Sequence, residues 1–576
     1  MSEDAESAVE DIDLYDPYAV GRTAGRAFWA DAVADAILAS EPDEPIVIKG
    51  GVSPSGVPHI GHFNEILRSY FVAEALRDRG HEVRQVFTTD DKDPLRKIPR
   101  TLADLDWNVV DFGDDAVDSA AVGQNLGKPY TDIPDPFGCC DSYGAHFTNL
   151  LEQSADLVDV PVEFVSNTEL YADGEFEEIT RFLLEHTDQA RETLAEYQAS
   201  VDDSYVPFTP QCSECGLLTG QIVDVDLDEG TVAYECTEME AGDRTIEGCG
   251  HEGTATLRDG KLPWRFEWPA QWDILGVDFE PFGKDHAEGS WPSGEDIARN
   301  VLDVEPPVPM VYEWFTLNGE ALSSSSGNIV TVSEVLELLE PEVFRYFFTK
   351  NPRKQRDFDV TTLDQLVDEF DQFERVYYGT EEPRDEEEAE LAERAYPMAV
   401  GSEARSASGS RTQSGDGEAA DDQPIRIPYT FAAVLGMTDD PELREQMARR
   451  EGHIPEDATE AEIEAALARV ERARQWAKRT DNEYNYRLAE DLPETDFDDD
   501  VAAALAELAD FVQAGHDGEE IQGEIYEAAK RNDVEVGDFF AAGYQLFLDT
   551  DQGPRLGPFL AALDEQFVLD RLRRDA

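Results

Sequence analysis

Apolar residues recur at helical spacing at Phe28, Trp29, Val33, Ala36 and Ile37, and the short apolar run Pro45-Ile46-Val47-Ile48 then stops at Gly50-Gly51. The first pattern predicts an amphipathic helix and the second a buried strand. A turn-rich stretch, Ser53-Pro54-Ser55-Gly56-Val57-Pro58, leads into a segment with Phe63, Ile66, Leu67, Tyr70 and Phe71 on one face, a helix ending near Gly80. Alternation from Glu82 to Phe87 predicts the next strand. Strand, loop, helix and strand within about 45 residues open a parallel nucleotide-binding sheet, which takes ligands at the carboxyl ends of its strands.

Farther along, residues 175–200 read as helical and 205–255 as short strands carrying four cysteines. Residues 333–350 read as one helix on Val335-Leu336, Leu338-Leu339 and Val343-Phe344. Between 381 and 424, EEPRDEEEAELAERA is followed by GSEARSASGSRTQSGDGEAADDQ, and this composition predicts a disordered, solvated insert. Residues 425–576 keep a helical period, without β-rich runs.

Charge changes the picture in one respect. Lys and Arg number 46 against 127 Asp and Glu in 576 residues, a net −81, and the acids are spread over the whole chain. A uniform acidic surface with few lysines reads as adaptation to molar salt, where self-repulsion is screened within ~3 Å. The 41% of apolar residues fill several cores, and no apolar run approaches the ~18 residues of a membrane span. The acidic opening, MSEDAESAVEDIDLYD, is unlike a targeting peptide, so a cytoplasmic protein is expected.

The first chemical signal is Pro58-His59-Ile60-Gly61-His62. Two histidines at i and i+3 where a helix begins share a face, and the free N–H groups there favour an anion such as a triphosphate. Gly61 between them allows close approach of a base or ribose. From Gly51 to His62 the chain resembles the HIGH signature of class I aminoacyl-tRNA synthetases, specifically the class I lysyl-tRNA synthetases found mainly in archaea. Thr88-Thr89-Asp90-Asp91-Lys92-Asp93-Pro94-Leu95-Arg96-Lys97-Ile98-Pro99, Leu126-Gly127-Lys128-Pro129, Asp135–Cys139, Lys261–Arg265 with Trp268-Pro269, and Phe282-Gly283-Lys284-Asp285-His286 are similar to further motifs in family order. The resemblance covers about 25–380 well and 425–480 weakly.

That resemblance implies a two-step reaction. The carboxylate of L-lysine attacks the α-phosphate of ATP, with Mg²⁺ helping, and the 2′-hydroxyl at the 3′ end of tRNA(Lys) then takes the acyl group. His59 and His62 would grip phosphates, and Ser53, Ser55, Gly56, Gly61, Gly283 and His286 would line the nucleotide site. The family's second signature, KMSKS, corresponds to Ala321-Leu322-Ser323-Ser324-Ser325-Ser326-Gly327-Asn328, whose usual lysines are replaced by Ala321 and Ser326. Ser323 and Ser326 are then the expected catalytic donors, Ser324 and Ser325 nucleotide contacts, and Lys284 a source of compensating charge.

Cys212-x-x-Cys215, Cys236 and Cys249 form two knuckle-like pairs able to hold Zn²⁺ through four thiolates. The second pair is stretched to twelve intervening residues, which leaves His251 as an alternative to one cysteine. Asp135, Cys139, Cys140 and His146 make a second compact set, at positions where the related family places metal ligands; buried structural cysteines are the alternative. Both sites would be structural, giving two Zn²⁺ ions.

Asp90, Asp91 and Asp273 are candidates for the lysine ammonium, with Trp268 and Trp272 as an apolar wall. For tRNA, Lys350-Asn351-Pro352-Arg353-Lys354-Gln355-Arg356 is a dense basic run, and Arg469, Arg472, Arg474, Lys478 and Arg479 offer contacts in the helical part. The expected fold class is α/β. A Rossmann-like catalytic domain has its first half at 1–135, its remainder with a zinc-bearing insertion at 136–260, and its second half at 261–335. A helical stem at 336–380, the disordered insert at 381–424 and an all-α anticodon-binding domain at 425–576 complete it. The rivals are a glutamyl-type class I synthetase and a non-catalytic tRNA-binding or lysine-sensing paralogue, the latter prompted by the missing loop lysines.

Overall fold

The computed structural model describes residues 13–22, 25–241, 244–322, 328–407, 423–489, 492 and 497–574. They fall into two compact units. The first holds residues 1–334, 344–359 and 383–409, the second 335–343, 360–382 and 410–576.

The first unit is built on a five-stranded parallel sheet. Helix α1 (Trp29–Ala39) precedes β1 (Ile46–Val52), which α2 (Phe63–Arg77) connects to β2 (Val83–Thr89). Helix α3 (Tyr143–Leu157) precedes β3 (Glu163–Ser166), and α4 (Trp264–Leu275) precedes β4 (Phe279–Gly283) and β5 (Val308–Tyr312). The spatial order is β5-β4-β1-β2-β3, every pair parallel. Successive strands first step outward on one side of β1 and then return to its other side. That reversal opens a crevice at the carboxyl ends of β1 and β4, where such sheets take ligands. The strands are covered on both faces, so β1, β2 and β4 read as nearly continuous buried runs. Ile37, Ile48, Phe63, Leu67, Phe71 and Val86 lie wholly inside.

Between β3 and β4 sits the cysteine-bearing module. Its three-stranded antiparallel sheet pairs Gln221–Asp226 with Thr231–Glu235 and that with Glu252–Thr256.

Two expectations are corrected. Residues 333–350 form two helices, Val332–Leu336 and α5 (Pro341–Thr349), because Pro341 lacks an N–H and begins a new helix. The stem also contains a strand, Arg356–Phe358, which pairs in parallel with Phe315–Leu317 in the first unit. The second correction concerns 381–424. Helix α7 (Glu386–Ala407) occupies much of it, broken at Gly401. Ala392, Ala395, Tyr396 and Ala399 are buried, and Arg394 donates to both oxygens of Asp31 at 2.9 Å. The acids occupy the outer face, and their number hides the i, i+3, i+4, i+7 stripe of three alanines and a tyrosine. Residues 408–422 lie outside the described residues.

The second unit has no strand among its described residues. It includes α6 (Leu363–Tyr378) and α8 (Glu460–Thr480), the latter opened by a capping box between Thr459 and Glu462. Arg469 is buried on α8 and donates to both oxygens of Asp371 (2.6 and 2.9 Å), to Glu340 (2.7 Å) and to the Ile427 carbonyl (3.0 Å). It is a structural arginine and not the RNA contact its sequence position suggests. Arg474 is likewise paired, with Asp439 at 2.7 Å.

Candidate active site

At the end of β1, Gly50 and Gly51 let the backbone pass where side chains would not fit: a Cβ on Gly51 would stand 2.5 Å from Thr88 Oγ1. The chain then turns through Ser53–Pro58 and enters α2, with His62 as its N-cap residue. The two imidazoles stack, centroids 4.1 Å apart and planes 24° from parallel. Gly61 is required between them, since a Cβ there would come within 2.6 Å of the His59 ring.

Their hydrogen bonds fix their chemistry. The Gly61 N–H donates to His59 Nδ1 (3.0 Å), and the His59 N–H donates to His62 Nδ1 (3.1 Å). With Nδ1 accepting in both rings, each neutral ring carries its proton on Nε2. Withdrawal from water holds His59 well below the ordinary imidazole range, His62 adding to the effect, and lowers His62 to about 4. At neutral pH the pair is therefore two uncharged Nε2–H donors.

Beneath the pair lies a residue that the sequence hides. Glu65 accepts from the Gly51 N–H (2.6 Å) and from the Tyr312 hydroxyl (2.9 Å), joining the exit of β1 to the end of β5. Enclosure by protein raises its carboxyl to about 8. One turn into a helix, an isolated Glu reads as a solvated first-turn acid, and only the sheet order brings Tyr312 to it. A second tie is the buried Lys49–Glu280 pair (2.7 Å) between β1 and β4. Trp268 and Trp272 donate their indole N–H groups to Glu280 at 3.0 and 2.6 Å. Both indoles are buried core at about 2% exposure, in place of the open wall for a substrate expected of them.

The motif after β2 is also inside. Asp90 accepts from Asn167 (3.1 Å) and Gln271 (3.4 Å), and burial, with Asp93 and Glu267 nearby, raises it to about 7. Asp91 accepts from Ser166 Oγ (2.5 Å) and the Thr168 N–H (2.8 Å), which makes it a clamp on the entry to the next helix. Asp93 receives Ser53 Oγ (3.2 Å) and Lys261, whose ammonium also reaches Glu267 at 2.8 Å. Asp273 is exposed on α4.

From the second half of the sheet, Gly283 ends β4, Lys284 pairs with Glu313 at 3.0 Å, and His286 packs against Trp264 and Trp268 with centroids 6.0 and 5.5 Å away. Ser323, Ser324, Ser325 and Ser326 lie outside the described residues. Their flanks meet the histidine segment: Leu322 Cδ1 stands 3.6 Å from the Cβ position of Gly61, and the Ile60 N–H donates to the Val330 carbonyl at 3.0 Å. The Asn328 amide bridges back to the Ala321 carbonyl at 2.9 Å. Of the basic run, Lys350 sits over the Tyr346 ring at 4.8 Å and Arg353 donates to the Val20 carbonyl, so these heads serve the fold.

Two four-residue sets have metal-ligand geometry. One ligand atom from each of Cys212, Cys215, Cys236 and Cys249 lies within 4.8 Å of all the others. Cys212–Cys249 and Cys215–Cys236 are 3.6 Å apart, against about 3.8 Å expected for thiolates around a tetrahedral zinc with ~2.3 Å bonds. His251 stands outside this set, its Nε2 3.3 Å from Ser213 Oγ. The second set, Asp135, Cys139, Cys140 and His146, is equally tight. His146 Nδ1 faces Cys139 Sγ (3.4 Å) and Asp135 (3.2 Å), while Nε2 is bound to the Ala103 carbonyl at 2.8 Å, the outer contact that orients a ligating imidazole.

Comparison with known proteins adds a second line. A family model described as tRNA synthetases class I (K) matches residues 27–401. A lysine–tRNA ligase of Haloarcula marismortui is 70% identical over 97% of this chain and 99% of its own. Those of Natronomonas pharaonis and Halobacterium salinarum are 67% and 64% identical, over 98% and 97% of this chain and 99% of each relative.

Proposed function

This chain belongs to the class I (K) tRNA synthetases, and from that premise we propose that its crevice joins L-lysine to tRNA(Lys) at the expense of ATP. It is an aminoacyl-tRNA ligase. The observation that carries the site assignment is the pair of Nε2–H donors at the carboxyl end of β1.

Uncharged donors suit the first step. They bind triphosphate oxygens without an ion pair that would have to be broken when pyrophosphate leaves, and they stand in a site where fixed dipoles act strongly. Glu65 and Tyr312 hold the Gly51 backbone, and Asp93 holds Ser53, so the loop bearing the histidines meets the substrate preformed. Ser323–Ser326, with Lys284, are the groups proposed to close over the leaving group in place of the family's lysines. Mg²⁺, when bound with ATP, neutralises charge on the phosphates. The four thiolates and the Asp135–His146 set fit structural zinc, with every coordination position filled by protein. The helical unit is the proposed reader of the anticodon. No helix among the described residues is long and apolar enough to cross a membrane, and the work of charging tRNA places the protein in the cytoplasm.

The test is ATP–pyrophosphate exchange in about 2 to 3 M KCl, with each amino acid in turn, with and without tRNA. Exchange with lysine alone, slowed about 10²- to 10³-fold in His59→Ala and in His62→Ala, is the expected result. Exchange with glutamate overturns the substrate, and none with folded, tRNA-supplied protein overturns catalysis. Ser326→Lys speeds exchange if the serine loop occupies the place of the lysine loop.

A further inference from the structure

The loop that leads into the two histidines, Ser53–Pro58, is tied to the core by a residue with no part in the reaction described above. The hydroxyl of Tyr143, the first residue of α3, donates to the Ser55 carbonyl at 2.7 Å. Tyr143 is wholly buried, whereas Ser55 is exposed. Pro54 and Pro58 have no N–H to give a neighbour, so the loop depends on what is brought to its carbonyls and side chains. Val57 anchors it in the same apolar cluster that holds the Tyr143 ring. A phenyl ring would fill that cluster equally well. The hydroxyl is the part of Tyr143 that packing does not require, and it is spent on the loop.

Tyr143 is itself held on several sides. Its N–H donates to the Ile133 carbonyl (2.8 Å), and Ser142 Oγ caps the helix by accepting from the Ala145 N–H (3.1 Å). Its ring stacks on Tyr130 with centroids 5.9 Å apart and packs against Phe147 at 4.7 Å. The Tyr130 N–H donates to the Asp93 carbonyl (3.1 Å), and the Asp93 carboxylate accepts from Ser53 Oγ (3.2 Å) at the other end of the loop. Ser53, Asp93, Tyr130, Tyr143 and Ser55 therefore close a ring of contacts that grips the loop at two points. Three residues along the same helix, His146 meets Asp135 at 3.2 Å, so the second four-residue set fastens the turn from which Tyr143 projects.

We propose that Tyr143 is a positioning residue of the reaction: through the Ser55 carbonyl its hydroxyl sets where the loop Ser53–Pro58 stands, and with it the place from which His59 meets the phosphates. Tyr143 touches neither substrate and acts only through the loop. Four residues separate Ser55 from His59, and a displacement of about 1 Å at a reacting group is enough to cost up to 10²-fold in rate. Because Ser55 is exposed, its carbonyl finds water once the hydroxyl is gone, and the loop shifts without the cluster beneath it unfolding. The inference rests on the reading of the chain as a tRNA-charging enzyme. A wild-type protein that exchanges pyrophosphate with no amino acid refutes that reading, and hydrogen exchange at the loop then still decides whether Tyr143 holds it.

The variant that tests this is Tyr143→Phe, which removes one oxygen and keeps the ring. Its melting temperature should fall by no more than about 2–4 °C, the effect of one neutral hydrogen bond. In lysine-dependent ATP–pyrophosphate exchange its kcat should fall about 10- to 100-fold while KM for lysine stays at the wild-type value. In the ligand-free protein, deuterium uptake by peptides covering residues 53–62 should quicken, with uptake in the helical unit unchanged. The last arm separates positioning from a loss of fold: in a His59→Ala background, Tyr143→Phe should slow exchange by less than about threefold further, because a loop that no longer carries the imidazole has nothing left to position. A wild-type kcat in Tyr143→Phe, unchanged uptake over 53–62, or the full 10- to 100-fold loss repeated in the His59→Ala background each overturns the proposal.

Discussion

The helical unit and the crevice spend the same kinds of residue in opposite ways. Arg469 and Arg426 turn inward among helices and are saturated: Arg469 by Asp371 and Glu340, Arg426 by Glu374 and Glu342 at 3.0 and 3.2 Å. In the crevice, His59 and His62 bind backbone donors on one nitrogen, Nδ1, and form no ion pair among the described residues. A group whose partners are all internal belongs to stability, and one kept from them is available to a ligand.

That contrast can be broken experimentally, most severely at Arg469. Arg469→Ala leaves Asp371 and Glu340 buried without their counter-charge, and is expected to cost about 3–5 kcal/mol, read as an earlier transition in urea denaturation. His62→Ala should instead shift denaturation much less than Arg469→Ala does and slow lysine-dependent exchange about 10²- to 10³-fold. A loss of exchange in Arg469→Ala under conditions where it remains folded would erase the distinction.

A subtler test uses pH. His62 is lowered to about 4 from an ordinary 6.5, so the folded protein binds fewer protons than the unfolded chain between those values. Its contribution to stability is complete above pH 6.5 and disappears as pH falls through 4, and His62→Asn should flatten that part of a melting-temperature profile. Glu65 works with the opposite sign. Its carboxyl is raised to about 8 from 4.5, the folded state holds the extra proton, and the contribution is complete below 4.5 and lost as pH rises through 8. Glu65→Gln should be less stable than wild type at pH 6 by a margin that shrinks by pH 9, the smallest of these effects.

Much of this was legible in the chain. The run at Ile46–Ile48, the turn after it and the apolar face from Phe63 to Phe71 specify strand, loop and helix locally, and local period and turn chemistry suffice there. Cys212 and Cys215 announce their pairing by spacing, while the choice of Cys249 over His251 needed the fold of the antiparallel module. What was not legible depended on distant partners. Composition alone made α7 look disordered, because its burial is against Asp31 and Tyr70, which no local window contains. Arg469 looked like a surface cation because Glu340 and Asp371 lie about a hundred residues away in sequence.

The pair formed by Lys49 and Glu280 has a consequence for how this chain is made. Its members are 231 residues apart, so when β1 leaves the ribosome the carboxylate that bonds its ammonium has not yet been made. At roughly 5–20 residues per second the carboxylate follows about 12 to 46 seconds later. Until then, closing the sheet around Lys49 would strand a charge in the core, a cost that favours an open first half. The central strand of the sheet is thereby timed by translation itself: its last neighbour to be synthesised is the one that allows it to close.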